Sequence, residues 1–323
     1  MALMLISCAF LASSPPAQAW GCKGHQIVAL IAESHMTAHA RQAALRILNA
    51  SPVDSNLSRY CGPSGLDAFA DAATWADDIR RLRPETAPWH FIDIPLGVTR
   101  YTLTKYCPRN TGCVTAALTE QLRILRDPSA KPQVRAEGLR YIVHFVGDIH
   151  QPLHDATNND LGGNCLPVTF FGHAPKEENT TTESYSPNLH SVWDVDILDR
   201  FSFSTGQTAQ QTAKEIESAY PQEIDAWRNA VYLHDPATQF NAWAWEGHEL
   251  AETNSYGHLP IHVQVEVPQA VNSCTDDHDV AKRLLQLNES LGDDYQARAE
   301  LAIEKQLAKA GARLAGLLNS LWH

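Results

Sequence analysis

Residues 144–154 read His144-Phe145-Val146-Gly147-Asp148-Ile149-His150-Gln151-Pro152-Leu153-His154. His144 and Asp148 are four residues apart, the spacing that stacks two side chains one turn apart on a helix face, where both reach one point in space. The pattern from Val134 to His150 predicts the helix that carries them. Pro152 predicts its end, because proline kinks or terminates a helix at about its own position. His154 follows just past that break, six residues after Asp148. Imidazole and carboxylate at this density point to zinc, which takes nitrogen and oxygen ligands and is held without strain by two residues of one helix. A histidine here also suits a satisfied core position, so this stretch alone leaves the two readings level.

Further along, Asn188-Leu189-His190-Ser191-Val192-Trp193-Asp194 opens another helix and repeats the His-x-x-x-Asp spacing, which puts His190 and Asp194 on a common face. Between the two motifs, Asp160-Leu161-Gly162-Gly163-Asn164 breaks the helix, Val168 to Phe171 reads as a short strand, and residues 174–187 read as a polar surface loop. Upstream, an apolar helical pattern runs from Gln26 to Leu48, and a second runs from Leu66 to Arg81 and contains Trp75-Ala76-Asp77-Asp78-Ile79-Arg80. Asp77 and Asp78 read most simply as solvated helix-surface charges. Pro84 and Pro88 end that helix, and Trp89-His90-Phe91-Ile92-Asp93 follows as an extended segment. Helical spacing returns from Val114 to Arg126, across residues 201–250 with Trp227, Trp243 and Trp245 in the core, and from Tyr295 to Leu321. The alternation Val263-Gln264-Val265-Glu266-Val267 suits a short strand or a surface loop. The fold class is mostly α: one compact multi-helix domain with a few short strands or loops.

The chain has 323 residues, 44% of them hydrophobic, enough for a substantial core, and a net charge of −12. That balance excludes a broad basic face for a polyanion, so a phosphate-bearing substrate has to be drawn by local cations. Residues 1–19 form a short apolar stretch ending in Ala17-Gln18-Ala19, which reads as a signal peptide although no Lys or Arg precedes the apolar run. Cleavage after Ala19 leaves a mature domain of residues 20–323, secreted or periplasmic, without a membrane anchor and expected as a monomer. Trp20 then becomes the amino terminus, where a free amine and the first carbonyl can chelate a metal with His25 as a third contact. A plain buried aromatic is the alternative. Six cysteines remain after the cut, an even number that suits disulfides in an exported protein. Cys107 and Cys113 bracket a turn-rich segment and form the expected pair, while Cys22, Cys61, Cys165 and Cys274 are left unassigned. No two cysteines have C-x-x-C spacing, which disfavours thiolate metal ligands. Asn49, Asn56, Asn179 and Asn288 stand in glycosylation sequons.

Taken together, Trp20-Gly21-Cys22-Lys23-Gly24-His25, Trp75-Ala76-Asp77, Trp89-His90-Phe91-Ile92-Asp93, the 144–154 motif, Asp160-Leu161-Gly162-Gly163-Asn164 and the 188–194 motif resemble the secreted zinc-dependent single-strand nucleases of the S-one/P-one type. These share a superfamily with zinc phospholipase C. The likeness spans Trp20 to the final helix, and nine positions fall in order with nearly unchanged spacing. It implies three zinc ions. One would be held by Asp77, His90, His144 and Asp148, a second by the amine and carbonyl of Trp20 with His25 and a bridging Asp148, and a third by His154, His190 and Asp194. His150 stands within the motif on a position that is not a family ligand. For His35, His39, His173, His234, His248, His258, His262, His278 and His323 a surface or core reading is preferred.

Three zinc ions carry six positive charges against three carboxylates, which leaves a cationic site on an acidic protein. The resemblance implies hydrolysis of phosphodiester bonds in single-stranded DNA and RNA to 5′-phosphate products, with a bridging hydroxide as nucleophile and an additional 3′-nucleotidase activity. It further implies Arg80 on the scissile phosphate, a base stacked on Phe91 with Leu161 on the other ring face and Asp93 at its edge, and a contact from Asn164. One position departs from the family pattern: Pro95 stands where fungal members carry an acidic residue thought to orient the attacking water. Either the hydroxide needs no such help, or Asp93 substitutes in part, or rate or substrate preference differs. Two rivals remain. A phospholipase C should carry glutamate in place of Asp194 and a membrane-binding module, and a non-catalytic zinc protein should use closed four-ligand sites rather than a shared Asp148.

Overall fold

Where the sequence shows one apolar run from Gln26 to Leu48 there are two helices, α1 (Gly21–His35) and α2 (Ala38–Ala50). The break falls at Thr37, whose hydroxyl accepts from the Ala40 N–H and so starts α2 as a new helix. The computed structural model describes residues 20–98, 103–179, 184–203, 206–259, 274 and 290–322. The expected leader, the Val263–Val267 alternation, and His262, His278 and His323 lie outside them.

The expected Leu66–Arg81 helix is also two pieces, α3 (Ala68–Ala72), capped by the Asp67 carboxylate, and α4 (Trp75–Arg80). Asp77 and Asp78 are not solvated: they are 5% and 2% exposed. Asp78 accepts from the Tyr60 N–H at 2.7 Å and Arg59 Nε at 3.2 Å, so the loop before α3 folds over the carboxylate that a surface reading leaves in water. Trp89 and His90 end a 3₁₀ turn over Pro84–His90 rather than starting an extended segment; the chain is extended only from Phe91 onward.

α5 (Val114–Arg126) packs against α6 (Pro132–Asp148), which has proline at its first position, where no backbone donor is lost. A 3₁₀ turn, Pro152–His154, follows it. β1 is Thr169–Phe170, and the polar stretch read as a loop contains a hairpin of β2 (Lys176–Asn179) and β3 (Ser184–Ser186). α7 (Leu189–Ser191) opens on a reciprocal cap between Asn188 and Ser191 and runs through a π turn, Val192–Asp196, into α8 (Ile197–Phe203). Then come α9 (Ala209–Ala219), α10 (Pro221–Asn229) and α11 (Pro236–Leu250). β4 (Ser290–Leu291) pairs in parallel with β1 just before α12 (Asp293–Leu321).

The core is built on α12, whose Ile303, Leu307, Leu314, Leu317 and Leu318 are fully buried, each worth roughly 1.5–3 kcal/mol of burial. It lies along α1 so closely that a Cβ on Gly311 would stand 2.5 Å from the Ile31 side chain. Only glycine allows that approach. Among the described residues no helix is long and apolar enough to cross a membrane. The helices α1, α4 and α6, with the turns around residues 90, 154 and 190, all point chemistry-bearing side chains toward one interior region.

Candidate metal centre

Helix α6 supplies the floor of this region, because the pattern that makes its other faces apolar leaves His144 and Asp148 on one stripe. His144 donates from Nδ1 to the Ala73 carbonyl at 2.7 Å. That carbonyl lies at the break between α3 and α4, and the interruption of the helix gives the histidine its partner. With Nδ1 turned to that carbonyl, the ring's Nε2 faces inward, 3.1 Å from His90 Nδ1 and 3.3 Å from Asp148 Oδ2. Asp148 Oδ2 also stands 2.9 Å from His90 Nδ1, and its other oxygen 3.4 Å from His25 Nε2. Asp77 reaches the same cluster from α4, its Oδ1 3.8 Å from the His90 and His144 nitrogens.

His25 lies flat on His144 with ring centroids 3.9 Å apart and planes within 16°. The same ring abuts Gly147, where a Cβ would come within 2.8 Å of His25 Nδ1. Trp20 is fully buried, donates from its indole to the Gly147 carbonyl at 2.8 Å, and hydrogen-bonds from its backbone nitrogen to Asp194. The residue read as a candidate amino terminus therefore sits inside the cluster.

The second His-x-x-x-Asp motif builds an adjoining group. His154 donates from Nδ1 to the His90 carbonyl and His190 from Nδ1 to the Gly162 carbonyl, each at 2.8 Å. Their Nε2 atoms then face each other across 3.1 Å, and Asp194 Oδ2 is 3.2 Å from His190 Nε2. Burial holds His154 well below the usual imidazole range, helped by His190, and puts His190 at about 4. Two neutral rings thus aim lone pairs at one point, which is repulsive unless a cation lies between them. Donor atoms around a tetrahedral zinc with bonds of about 2.1 Å stand roughly 3.4 Å apart, close to the observed spacing.

Three sets of donor atoms, each within 4.8 Å of one another, emerge: His25 with Asp77 and His144; His90 with His144 and Asp148; and His154 with His190 and Asp194. They contain all eight side chains singled out in the sequence as ligands. The last set is the same as the sequence reading, while the first two redistribute its other members around shared His144. All eight are buried. Each uncompensated buried charge costs several kcal/mol, against about 5–15 kcal/mol for a whole fold, so three carboxylates at this depth need protons or metal ions. Burial accordingly raises Asp148 to about 6, against the opposing pull of His144, and raises Asp194 well above the carboxylate range. His90 is lowered by burial and by Arg80. Burial works in the same direction on His144, but Asp148 and Asp77 outweigh it and hold that ring at about 9. Asp77 Oδ1, Asp148 Oδ1 and His90 Nε2 make no hydrogen bond. The donor set fits zinc.

Arg80 packs at 3.4 Å from Asp77 and lies close enough to His90, His154 and His190 to depress all three. It stands between the sets. Residues 92–96 run beside 154–157, with Ile92 N–H donating to the His154 carbonyl at 2.8 Å and Thr157 N–H to Ile94 at 2.9 Å, and Pro95 occupies a bridge position opposite Thr157. Phe91 is 36% exposed at the edge of the cluster. Asp93 is raised to about 6 by burial and by the charge of Asp160. Leu161 takes a left-handed backbone (φ 57°), and Asn164 donates to the Leu161 carbonyl at 2.7 Å.

His150 is a satisfied core residue: Nδ1 donates to Val146 at 2.7 Å, and Nε2 accepts from Arg313 at 3.0 Å. Two residues of this region escaped the sequence reading. Gln151 donates to Asp194 Oδ1 at 2.5 Å and accepts from the Leu153 N–H, which fixes how that carboxylate turns. Asp160 accepts from the Tyr256 hydroxyl at 2.8 Å and the Gly163 N–H at 3.0 Å, bracing the glycine turn whose carbonyl orients His190. A buried glutamine among ligand residues was the available signal for the first, whereas Tyr256 meets Asp160 only in the fold. Three disulfides are present: Cys22–Cys61, Cys107–Cys113 and Cys165–Cys274.

Comparison with known proteins gives a consistent result. The family model described as S1/P1 Nuclease matches residues 20–323. Nuclease S1 of Aspergillus oryzae is 28% identical over 330 residues, covering 98% of this chain and 96% of its own. Nuclease P1 of Penicillium citrinum is 28% identical over 316 residues, 94% of this chain and 97% of its own. Endonuclease 3 of Arabidopsis thaliana is 26% identical over 316 residues, 94% of this chain and 89% of its own.

Proposed function

This chain belongs to the S1/P1 nuclease family, and from that membership we propose an exported zinc-dependent endonuclease that hydrolyses single-stranded DNA and RNA to 5′-phosphate products and also removes 3′-phosphates from nucleotides. The observation that carries the reading is the convergence of five imidazoles and three carboxylates into three buried donor sets with the Arg80 guanidinium among them. Asp77, His90, His144 and Asp148 would hold one zinc ion, Trp20, His25 and Asp148 a second, and His154, His190 and Asp194 a third. Zinc supplies Lewis acidity there, neutralising phosphate charge and acidifying water toward neutral pH.

The chain's own residues do the rest. Asp148 faces His90 with one oxygen and His25 with the other, the arrangement a carboxylate needs to bridge the first two of these zinc ions. Backbone carbonyls of Ala73, His90 and Gly162 fix the tautomers of His144, His154 and His190, and Gln151 fixes Asp194, so no ligand has to reorient when substrate arrives. Arg80 offers a planar fork to the scissile phosphate and repels protons from the three nearby imidazoles. Phe91 provides an exposed aromatic face on which an unpaired base stacks; a duplex keeps its bases stacked on each other, so single strands are preferred. Asp93, half-buried and within reach of the Asp160 charge, hydrogen-bonds the base edge, with Leu161 on the base's other face and Asn164 as a further contact.

Residues 1–19 act as an export signal, and cleavage after Ala19 frees the Trp20 amine; the protein works as a monomer outside the cytoplasm. The three disulfides are compatible with that location. The test is metal analysis of the mature protein alongside hydrolysis of single-stranded DNA, RNA, duplex DNA and a choline phospholipid. Three zinc ions per chain with cleavage of single strands supports the reading. Metal-free protein that still cleaves, or hydrolysis of the phospholipid alone, rejects it.

A further inference from the structure

We propose that the Cys22–Cys61 disulfide is the positioning element of the N-terminal part of the metal centre, so that zinc uptake by Trp20 and His25 depends on oxidation of this one cystine. The inference rests on the reading of Trp20 and His25 as zinc-holding groups.

Cys22 lies two residues after Trp20 and three before His25, in the first turn of α1. A first turn lacks intrahelical partners for its N–H groups and frays unless tied down. Here the backbone is also left-handed at both Trp20 (φ 43°) and Gly21 (φ 45°), a conformation that a tryptophan keeps only when its surroundings impose it. The indole bond to Gly147 holds the Trp20 side chain. Among the described residues, the disulfide is the covalent hold on the backbone between the two ligand residues.

The other end of the bond is rigidly seated. Arg59 donates to Asp78 at 3.2 Å, to the Asp71 carbonyl at 3.2 Å and to Thr74 Oγ1 at 3.1 Å. The Tyr60 N–H donates to Asp78 at 2.7 Å and the Ser64 N–H to Asp71 at 2.6 Å. Segment 59–64 is thereby bonded to α3 and α4, and α4 carries Asp77 and Arg80. One sulfur–sulfur bond thus joins the turn bearing Trp20 and His25 to the element bearing Asp77 and Arg80, across 39 residues of chain.

The other two disulfides do not do this. Cys107–Cys113 closes a six-residue local loop, and Cys165–Cys274 joins segments that carry no proposed zinc ligand within four residues of either cysteine. Each of those two pairs has one buried member, Cys113 or Cys165, and one half-buried member, whereas both Cys22 and Cys61 are half-buried, which leaves this cystine the most open of the three to a soluble dithiol. Dithiothreitol delivers two electrons and two protons, leaving as its cyclic disulfide and producing two thiols at Cys22 and Cys61.

The test uses mature protein in three forms: wild type, the Cys22→Ser/Cys61→Ser double variant, and Cys107→Ser/Cys113→Ser as a control. Zinc per chain is measured after gel filtration, followed by chelator titration and thermal melting. Loss of one zinc ion per chain from the first variant, with that ion bound on the order of 10–100-fold more weakly, supports the proposal when the control keeps all its zinc despite a lower melting temperature. Equal zinc content and an equal chelator midpoint in wild type and Cys22→Ser/Cys61→Ser overturn it. A wild type with fewer than three zinc ions refutes the underlying ligand reading instead. Should the double variant fail to fold, wild-type protein briefly reduced with dithiothreitol and alkylated with iodoacetamide answers the same question: retention of all zinc with Cys22 and Cys61 alkylated overturns the proposal, and loss of one ion supports it.

Discussion

Replacing Gly147 with alanine adds one methyl group between α6 and His25. The new Cβ would stand 2.8 Å from His25 Nδ1 and 3.0 Å from its Cε1. Carbon contacts relax at about 3.5 Å, so the ring must retreat by roughly 3.5 − 2.8 ≈ 0.7 Å. Its retreat is limited, because one face of the ring is stacked 3.9 Å from His144, which is itself pinned to Ala73. Metal–ligand distances tolerate only about 0.2 Å, so the displacement is some three times what a zinc bond absorbs. Helix propensity acts in the opposite direction, but Gly147 is in the last turn of α6, so alanine there should stabilise the helix by less than the roughly 0.5–1 kcal/mol of an interior site. Overpacking costs about 1–3 kcal/mol, a net loss the fold survives. The expected signature of Gly147→Ala is therefore specific: unchanged far-ultraviolet circular dichroism, a melting temperature of the chelator-treated protein within a few degrees of wild type, one fewer zinc ion per chain, and activity on single-stranded DNA lowered at least tenfold. Full zinc content and full activity in this variant would refute the claim that His25 is held in place by contact with Gly147.

Asp148→Asn should empty two metal positions together, because each carboxylate oxygen faces a different histidine; loss of a single zinc ion by elemental analysis contradicts the bridging role. Asp78→Ala strips the partners of Arg59 and the Tyr60 N–H and should lower stability by about 2–4 kcal/mol in urea unfolding, while Asp78→Asn should cost less; a change within 0.5 kcal/mol would make Asp78 a surface charge after all. Glu246 is held at about 2, below its ordinary 4.5: burial works to raise it, and Arg313 and Lys309 outweigh burial. A depressed carboxyl stabilises the fold above pH 4.5 and loses that contribution as pH falls toward 2, so melting curves of wild type and Glu246→Gln should differ at neutral pH and converge in acid. A constant offset across that range contradicts the ion-pair reading.

Most of the candidate metal centre was legible because its proposed ligands come in short, periodic motifs. His144 with Asp148 and His190 with Asp194 need only helical spacing to share a face, and proline at 152 locates the turn that presents His154. Trp20, His25, Asp77 and His90 carry little local signal; the family resemblance nominated them, and tertiary contacts bring them to the same cluster. Asp77 and Asp78 were misplaced for an instructive reason. Adjacent aspartates on a helix of six residues look solvated until one knows that a loop closes over one and histidines face the other. Helix breaks at Thr37 and Ala73 were missed because the apolar spacing continues across them, and the cap or the exposed carbonyl decides the outcome. Gln151 and Asp160 were missed because what each does depends on partners in the fold, Asp194 and Tyr256.

The close seating of α12 on α1 through Gly311 has a temporal corollary. The ribosome makes Trp20 and His25 long before α12, the shelf on which their helix lies. A nascent chain therefore emerges with every proposed ligand through Asp194 already synthesised, yet without the surface that fixes the first two. On the proposed ligand reading, zinc capture at that corner must await synthesis of α12.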